Sequence, residues 1–353
     1  MKKPSLKDIA KKTGVSASTV SRVLNGKAES FRISPSTSEL VLKIATEIGY
    51  IPNQIARGLR TRKSQTIGLI IPNISNPYFS RICRTIEIAA RKIGYSIILS
   101  DSQEDQQLEI ESIRNLRSRN VDGLIILPVG EDINVLKQII DSKIPLVIAD
   151  RHFPDLKCPQ VISNNYDGAF DATNHLIQNN HQVIGCVQGK HNTSVNDSRM
   201  KGYLSALKKN NIKINDNYIV GDDFGSRNGY TSTKILLNMN PRPTAIFAFS
   251  NLISLGAMRA IMEEKLNIPN DISMITFDDD QPHSEFLATP MSTIAQQTDE
   301  IGHVAFKLLM AEIDKEGQTL SKGPTESKIV VLSTKLIERN SVKILRPSKK
   351  LRK

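Results

Sequence analysis

From about Gln65 onward the chain repeats a pattern that few folds can satisfy. Short, continuous runs of apolar residues recur at 66–72, 95–101, 123–128, 145–150, 160–164, 183–188, 217–221, 244–250, 272–278 and 291–295. Amphipathic stretches of helical length lie between most of them. A strand with one wet face alternates apolar and polar residues, whereas a strand that is apolar throughout is covered on both faces. Such strands, spaced by helices, predict the parallel sheets of doubly wound α/β lobes, here two of them. Ligands of open parallel sheets sit beyond the carboxyl ends of the strands. Those ends carry Asp101, Pro128, Asp150, Asn165, Phe224, Ser250 and Asp278, which predicts a cleft between facing lobes. No sequence repeat relates the two.

The first fifty residues follow a different period. Leu6, Ile9 and Ala10 have helical spacing before Gly14, which ends that helix. Ser16 is placed to N-cap a second helix, stopped at Asn25-Gly26. Ser34-Pro35 opens a third, Ser as cap and Pro at the first position. Its apolar stripe is Leu40, Val41, Ile44, Ala45 and Ile48, before Gly49 and Pro52 close it. Ile9, Val15, Val20 and Val23 supply a compact core. This arrangement predicts a helix-turn-helix. Ala17, Ser18, Ser21 and Arg22 are left facing outward on the second helix. Small and hydroxyl side chains let a helix sink into the major groove, and Arg22 has the fork that pairs bidentately with guanine.

The charge is distributed accordingly. The net charge is +11. Residues 1–63 hold thirteen Lys/Arg and four Asp/Glu, and residues 339–353 hold seven Lys/Arg and no acid, leaving a middle of −5. A basic head on a mildly acidic body fits a polyanion partner. No apolar run reaches the roughly 18 residues of a membrane span. The lysines at the start lack the apolar stretch of a secretory signal. Cys83, Cys158 and Cys186 are widely spaced and unpaired in pattern, as in a reduced, cytoplasmic protein.

The segment Val15-Ser16 with Thr19-Val20-Ser21-Arg22-Val23-Leu24-Asn25, then Gly49-Tyr50-Ile51-Pro52-Asn53 and Asn76-Pro77-Tyr78-Phe79, resembles the LacI/GalR family of bacterial regulators. Gly202-Tyr203, Pro243-Thr244-Ala245, Leu255-Gly256-Ala257 and Phe277-Asp278-Asp279 extend the resemblance to about residue 340. It implies a helix-turn-helix domain at 1–52, a hinge helix and linker at 53–64, a periplasmic-binding-protein-like core at 65–340 and a basic tail at 341–353. Lobe 1 is expected at about 65–163 and 293–322, lobe 2 at about 164–290 and 326–340.

The resemblance also implies function. The protein is expected to be a homodimeric repressor, binding a palindromic double-stranded DNA operator under control of a small carbohydrate-type effector. DNA contacts fall to Leu6, Ser16, Ala17, Ser18, Thr19, Ser21, Arg22, Asn25, Asn53, Ala56 and Leu59. Leu59 matches a leucine that wedges into the minor groove. Effector contacts fall to Tyr78, Phe79, Asp150, Arg199, Phe224, Asn251, Asp278 and Gln296.

Departures from the family pattern matter. The loop Lys27 to Arg32 is longer than usual, and Ser38 follows Thr37 where Arg is usual. Ser250-Asn251 replaces a usual Asn-Asp, so with Arg151, His152 and Arg199 nearby an anionic sugar such as a uronate is expected to be tolerated.

Other functions leave weaker traces. Gly185-Cys-Val-Gln-Gly-Lys190 is one residue short of a phosphate loop and is followed by His191. GxSxG, HExxH and GxGxxG are absent, and His175 and His181 lack metal-ligand spacing, so neither enzyme, cofactor nor metal site is expected. A solute-binding protein would share the core but not the head. Control by a protein coregulator would keep the head and dispense with the small effector.

Overall fold

The computed structural model describes residues 4–50, 63–129, 133–280, 284–316 and 328–346. The chain divides into two compact units, Met1–Ser64 and Gln65–Lys353.

The first unit contains α1 (Leu6–Thr13), α2 (Ala17–Leu24) and α3 (Pro35–Glu47). Each start is explained locally. Ser5 and Asp8 form a capping box on α1, while the Ser16 and Ser34 hydroxyls accept the Thr19 and Thr37 amides at 3.1 and 3.2 Å. Gly14 leaves α1 with φ +71°, a conformation that costs other residues about 1–2 kcal/mol. Ile9, Val20, Val23, Val41 and Ala45 close the core. Leu40, expected in the stripe of α3, is instead 43% exposed. It precedes Val41, and one residue along a helix turns the side chain by about 100°.

The second unit holds two six-stranded sheets. The first contains β1 (Thr66–Ile71), β2 (Ser96–Asp101), β3 (Gly123–Ile126), β4 (Leu146–Ala149) and β5 (Gln160–Ser163). Helices α4 (Pro77–Lys92), α5 (Gln106–Ser118) and α6 (Asn134–Asp141) connect them. The second lobe begins with α7 (Asn165–Gln178), β6 (Ile184–Val187), α8 (Ser194–Lys209), β7 (Ile219–Val220) and α9 (Ser226–Leu237). It continues with β8 (Ala245–Ala248), α10 (Asn251–Glu263), β9 (Ser273–Phe277) and β10 (Ser292–Ala295). The chain then runs through α11 (Thr298–Glu316), β11 (Ile329–Leu332) and β12 (Lys335–Ile337).

The strand orders are β2-β1-β3-β4-β5-β11 and β7-β6-β8-β9-β10-β12. The two lobes thus share one strand order without a sequence repeat, the last strand lying parallel to its neighbour in the first sheet and antiparallel in the second. Among the described strands only β12 runs antiparallel to its neighbour. The apolar strands are buried on both sides, as Ile67, Leu69, Ile70 and Ile71 of β1 show.

Sheet pairing corrects the expected lobe limits at the last crossings. Residues 293–295, expected in lobe 1, belong to β10 of the second sheet. Residues 329–332, expected in lobe 2, form β11 of the first. The helix between them, α11, does pack on α4 of the first lobe. The chain therefore crosses between lobes after β5, β10 and β11. The crossings brace one another: the Asn164 amide donates to Leu332 O at 2.8 Å, and Gln297 Nε2 to Ser333 O at 2.9 Å.

Candidate functional site

A cavity of about 240 Å³ lies between the lobes at the carboxyl ends of both sheets. Of the predicted effector residues, Tyr78, Phe79, Asp150, Arg199, Phe224, Asp278 and Gln296 line it. Asn251 does not. It sits beside the cavity, where its Nδ2 donates to Asn76 Oδ1 at 3.0 Å.

Asp150 and Asp278 follow β4 and β9, the fourth strands of their sheets. Both adopt positive φ, +70° and +72°. Asp is among the few residues that tolerate this region, and the turn it makes ends each strand with its carboxylate at the cavity. A continuous polar chain joins the two. The Tyr78 hydroxyl is the donor to both Asp150 Oδ1 at 2.7 Å and, more weakly, Gln296 Oε1 at 3.2 Å. Gln296 Nε2 then donates to Asp278 Oδ1 at 2.6 Å. Burial pushes both carboxyls up; Arg151, the Tyr78 bond and Arg199 pull Asp150 back. Arg199, Gln296 and the Asn251 amide do the same for Asp278.

Arg199 is held from three sides. Its Nε donates to Asn165 Oδ1 at 2.8 Å, its Nη1 to Phe249 O, and its guanidinium stacks 3.7 Å from the Phe277 ring centre. Arg151 donates to Pro128 O and Val129 O at 3.2 and 3.3 Å and pairs with Glu104 at 2.9 Å. Both guanidinium groups are thus already engaged by protein partners. The lining holds four carboxylates, Glu104, Asp150, Asp223 and Asp278, against two guanidinium groups. Burial lowers the pKa of His152, so it adds no charge at neutral pH. The site suits hydroxyl groups, which can donate to carboxylates and accept from arginine, with Phe79 and Phe224 available for the apolar face of a ring.

Arg151 and Ser250, placed near the cleft by the sequence though not among its effector residues, line the cavity, while Asn73, Asn76, Glu104 and Asp223 were missed. Each lies within a few residues of a strand's carboxyl end, the rule already applied to the others. Val195 and Leu252 also line the cavity, from the first turns of α8 and α10.

In the head, Ser16, Ala17, Ser18 and Arg22 are exposed on and just before α2, with Leu6, Thr19, Ser21 and Asn25 partly so. Ser16 Oγ lies 2.7 Å from Ser18 Oγ and 2.8 Å from Thr19 Oγ1, so one hydroxyl cluster marks the start of α2. Asn25 Nδ2 donates to Ser21 O at its end. Asn53, Ala56 and Leu59 lie outside the described residues, as do 347–353 of the basic tail.

A helix-turn-helix head on a two-lobed α/β core with a polar interlobe cavity is the build of a ligand-responsive DNA-binding regulator. Residues 5–53 match the model of bacterial regulatory proteins of the lacI family, and residues 64–336 match that of periplasmic binding proteins and the sugar-binding domain of the LacI family. The chain belongs to the lacI family of bacterial regulatory proteins and is a DNA-binding transcription regulator.

It is 33% identical to catabolite control protein A of Priestia megaterium, over 95% of this chain and 98% of that protein. It is also 33% identical to the transcriptional repressor CytR of Escherichia coli K12, over 96% of both chains. Among solved structures, the lac repressor dimer bound to operator and the anti-inducer ONPF superposes with a TM-score of 0.83 at 26% identity, covering 97% of this chain and all of that one. Among the described residues no helix is long and apolar enough to cross a membrane.

Proposed function

We propose that the protein represses transcription as a homodimer on a palindromic double-stranded operator, and that a neutral sugar or sugar derivative in the interlobe cavity sets its operator affinity. The observation that carries this reading is the hydrogen-bonded chain Asp150–Tyr78–Gln296–Asp278, which runs from one sheet to the other through a crossing segment. A ligand touching it is held by both lobes at once. It therefore binds one lobe arrangement better than another, and only unequal binding shifts an equilibrium. The cavity is smaller than the roughly 300–1,000 Å³ of drug-sized pockets, which suits a single small ring. The relatives add support: one is a ribose operon repressor of Haemophilus influenzae, 32% identical, and a family member from Enterococcus faecium was solved with bound ribose.

On the DNA side, Ala17, Ser18 and Arg22 read base edges, while Ser16, Thr19, Ser21 and Asn25 meet phosphates, with Leu6 beside them. Asn53, Ala56 and Leu59 carry the contact into the minor groove. One short helix reads too few bases for a unique site, and a dimer with two half-sites removes that limit. The protein works by binding rather than turnover, in the cytoplasm with the chromosome.

Selection of random duplex DNA by the purified chain, with and without pentoses, hexoses and hexuronates, tests this. A palindrome whose retention changes with one neutral sugar is the expected result. Enrichment of no sequence at moderate salt would refute the DNA assignment. Response to a hexuronate alone would refute the ligand class.

A further inference from the structure

We propose that Phe31 is a positioning residue for sequence readout: its ring holds the Arg22 guanidinium in the plane from which Arg22 meets a base edge. This rests on the reading of Arg22 as a base-contacting residue. The guanidinium carbon of Arg22 lies 4.0 Å from the Phe31 ring centre. Phe31 belongs to the lengthened loop between α2 and α3, at the end of a single 3₁₀ turn, Glu29–Phe31. The turn is built rigidly. The Phe31 and Ile33 amides both donate to Ala28 O, at 3.3 and 2.9 Å, and Arg32 N donates to Glu29 O at 2.9 Å. Arg32 reverses the chain with φ +52°. Ala28 and Ile33 pack against the head core on either side, yet Phe31 remains 48% exposed.

A large apolar ring held outward by anchored flanks covers no core; what it touches is Arg22. Stacking occupies the face of a guanidinium and leaves its five N–H donors free in the plane. Those donors are the ones a guanine edge accepts from. Among the described residues Arg22 has no carboxylate partner that would compete. An unrestrained arginine must give up rotamer freedom when it binds, and an arginine already stacked gives up less. The extra length of the loop therefore has a use at the reading head: it brings an aromatic ring to the arginine that α2 presents.

An exposed cation–π contact corresponds to about a two- to fivefold change in affinity. The test uses the full chain and an operator obtained by selection. Binding of the wild type, Phe31→Ala, Phe31→Trp, Arg22→Ala and the Arg22→Ala/Phe31→Ala double variant is measured on that operator and on copies with single base pairs changed along the half-site. Phe31→Ala should weaken binding two- to fivefold and flatten the preference mainly at the base pair where Arg22→Ala flattens it. Phe31→Trp should restore both, and Phe31→Ala should add nothing once Arg22 is gone. An equal loss with and without Arg22, or a loss uniform across the half-site, would overturn the proposal. If Arg22→Ala itself leaves affinity and preference unchanged, the base-reading role of Arg22 falls, and the role of Phe31 falls with it for that separate reason.

Discussion

Asn251, the first residue of α10 in the second lobe, donates its side-chain amide to Asn76 Oδ1 in the first lobe at 3.0 Å, and the same oxygen caps α4 by accepting the Tyr78 amide at 3.0 Å. The bond ties the helix that carries Tyr78 to the opposite lobe. Asn251→Ala removes it but leaves the cap. The expected cost is about 1 kcal/mol of stability, read by denaturant unfolding, together with weaker effector binding, because the closed arrangement loses a support. An unchanged effector affinity would show that the bond does not help hold the lobes together.

Tyr78→Phe keeps the ring and removes the hydroxyl between Asp150 and Gln296. Asp150 is buried, and a lost hydrogen bond to such a carboxylate costs about 1.5–3 kcal/mol. Both stability and effector affinity should fall, the latter measured by calorimetry. A variant that binds effector as well as the parent would remove Tyr78 from the site.

Glu109 gives a pH signature. Burial raises its pKa from 4.5 to about 7, although the Val129 amide, 2.7 Å away, and Arg151 pull it down. A carboxyl raised in the folded state binds more protons there than in the unfolded chain between those values. Its contribution is complete below about 4.5 and disappears as pH rises through about 7. The full effect is on the order of 3 kcal/mol. His181, lowered by burial to about 4 from 6.5, acts in the opposite sense and favours folding as pH rises between those values. The total profile therefore hides both. Glu109→Gln retains an acceptor for Val129 and should gain stability relative to the parent as pH rises from 4.5 to 7. A difference independent of pH would contradict this.

Gly189 stands where a Cβ would fall 2.1 Å from the Phe224 ring. Gly189→Ala must push that ring, and Phe224 lines the cavity. The cost in stability should stay within the roughly 1–3 kcal/mol of an overpacked site, while effector affinity falls at least about tenfold, or about 1.4 kcal/mol. Operator binding in the absence of effector should be unchanged.

Much of this was legible in the sequence because the strands of a doubly wound lobe are buried on both faces and so read as continuous apolar runs. β11 is such a run, Ile329 to Leu332, yet it is an edge strand with exposed and only partly buried residues, and an apolar run does not say which sheet it joins. β12 is only Lys335–Ile337. The last crossings were misplaced because they depend on which edge each short strand pairs with. The rule of strand ends located Asp150 and Asp278, but not which neighbours turn inward. Glu104 follows β2 and Arg151 follows β4, strands separated in the sheet by β1 and β3, so their pairing depends on the path of the strand-end loops and not on strand adjacency. Charge balance in the cleft was illegible for the same reason, since whether an arginine is free depends on the carbonyls folded around it. The stacking of Phe31 on Arg22 likewise depends on a turn that spacing alone does not fix.

The proposed function links ligand in the cleft to DNA at the head, and such linkage must be reciprocal. The most direct measurement is a pair of titrations on one sample: operator affinity with and without saturating effector, and effector affinity with and without operator. Both affinities should change by the same factor, and Tyr78→Phe should weaken effector binding while leaving operator binding in its absence intact. An effector that binds the cleft tightly yet leaves operator affinity unchanged would contradict the link.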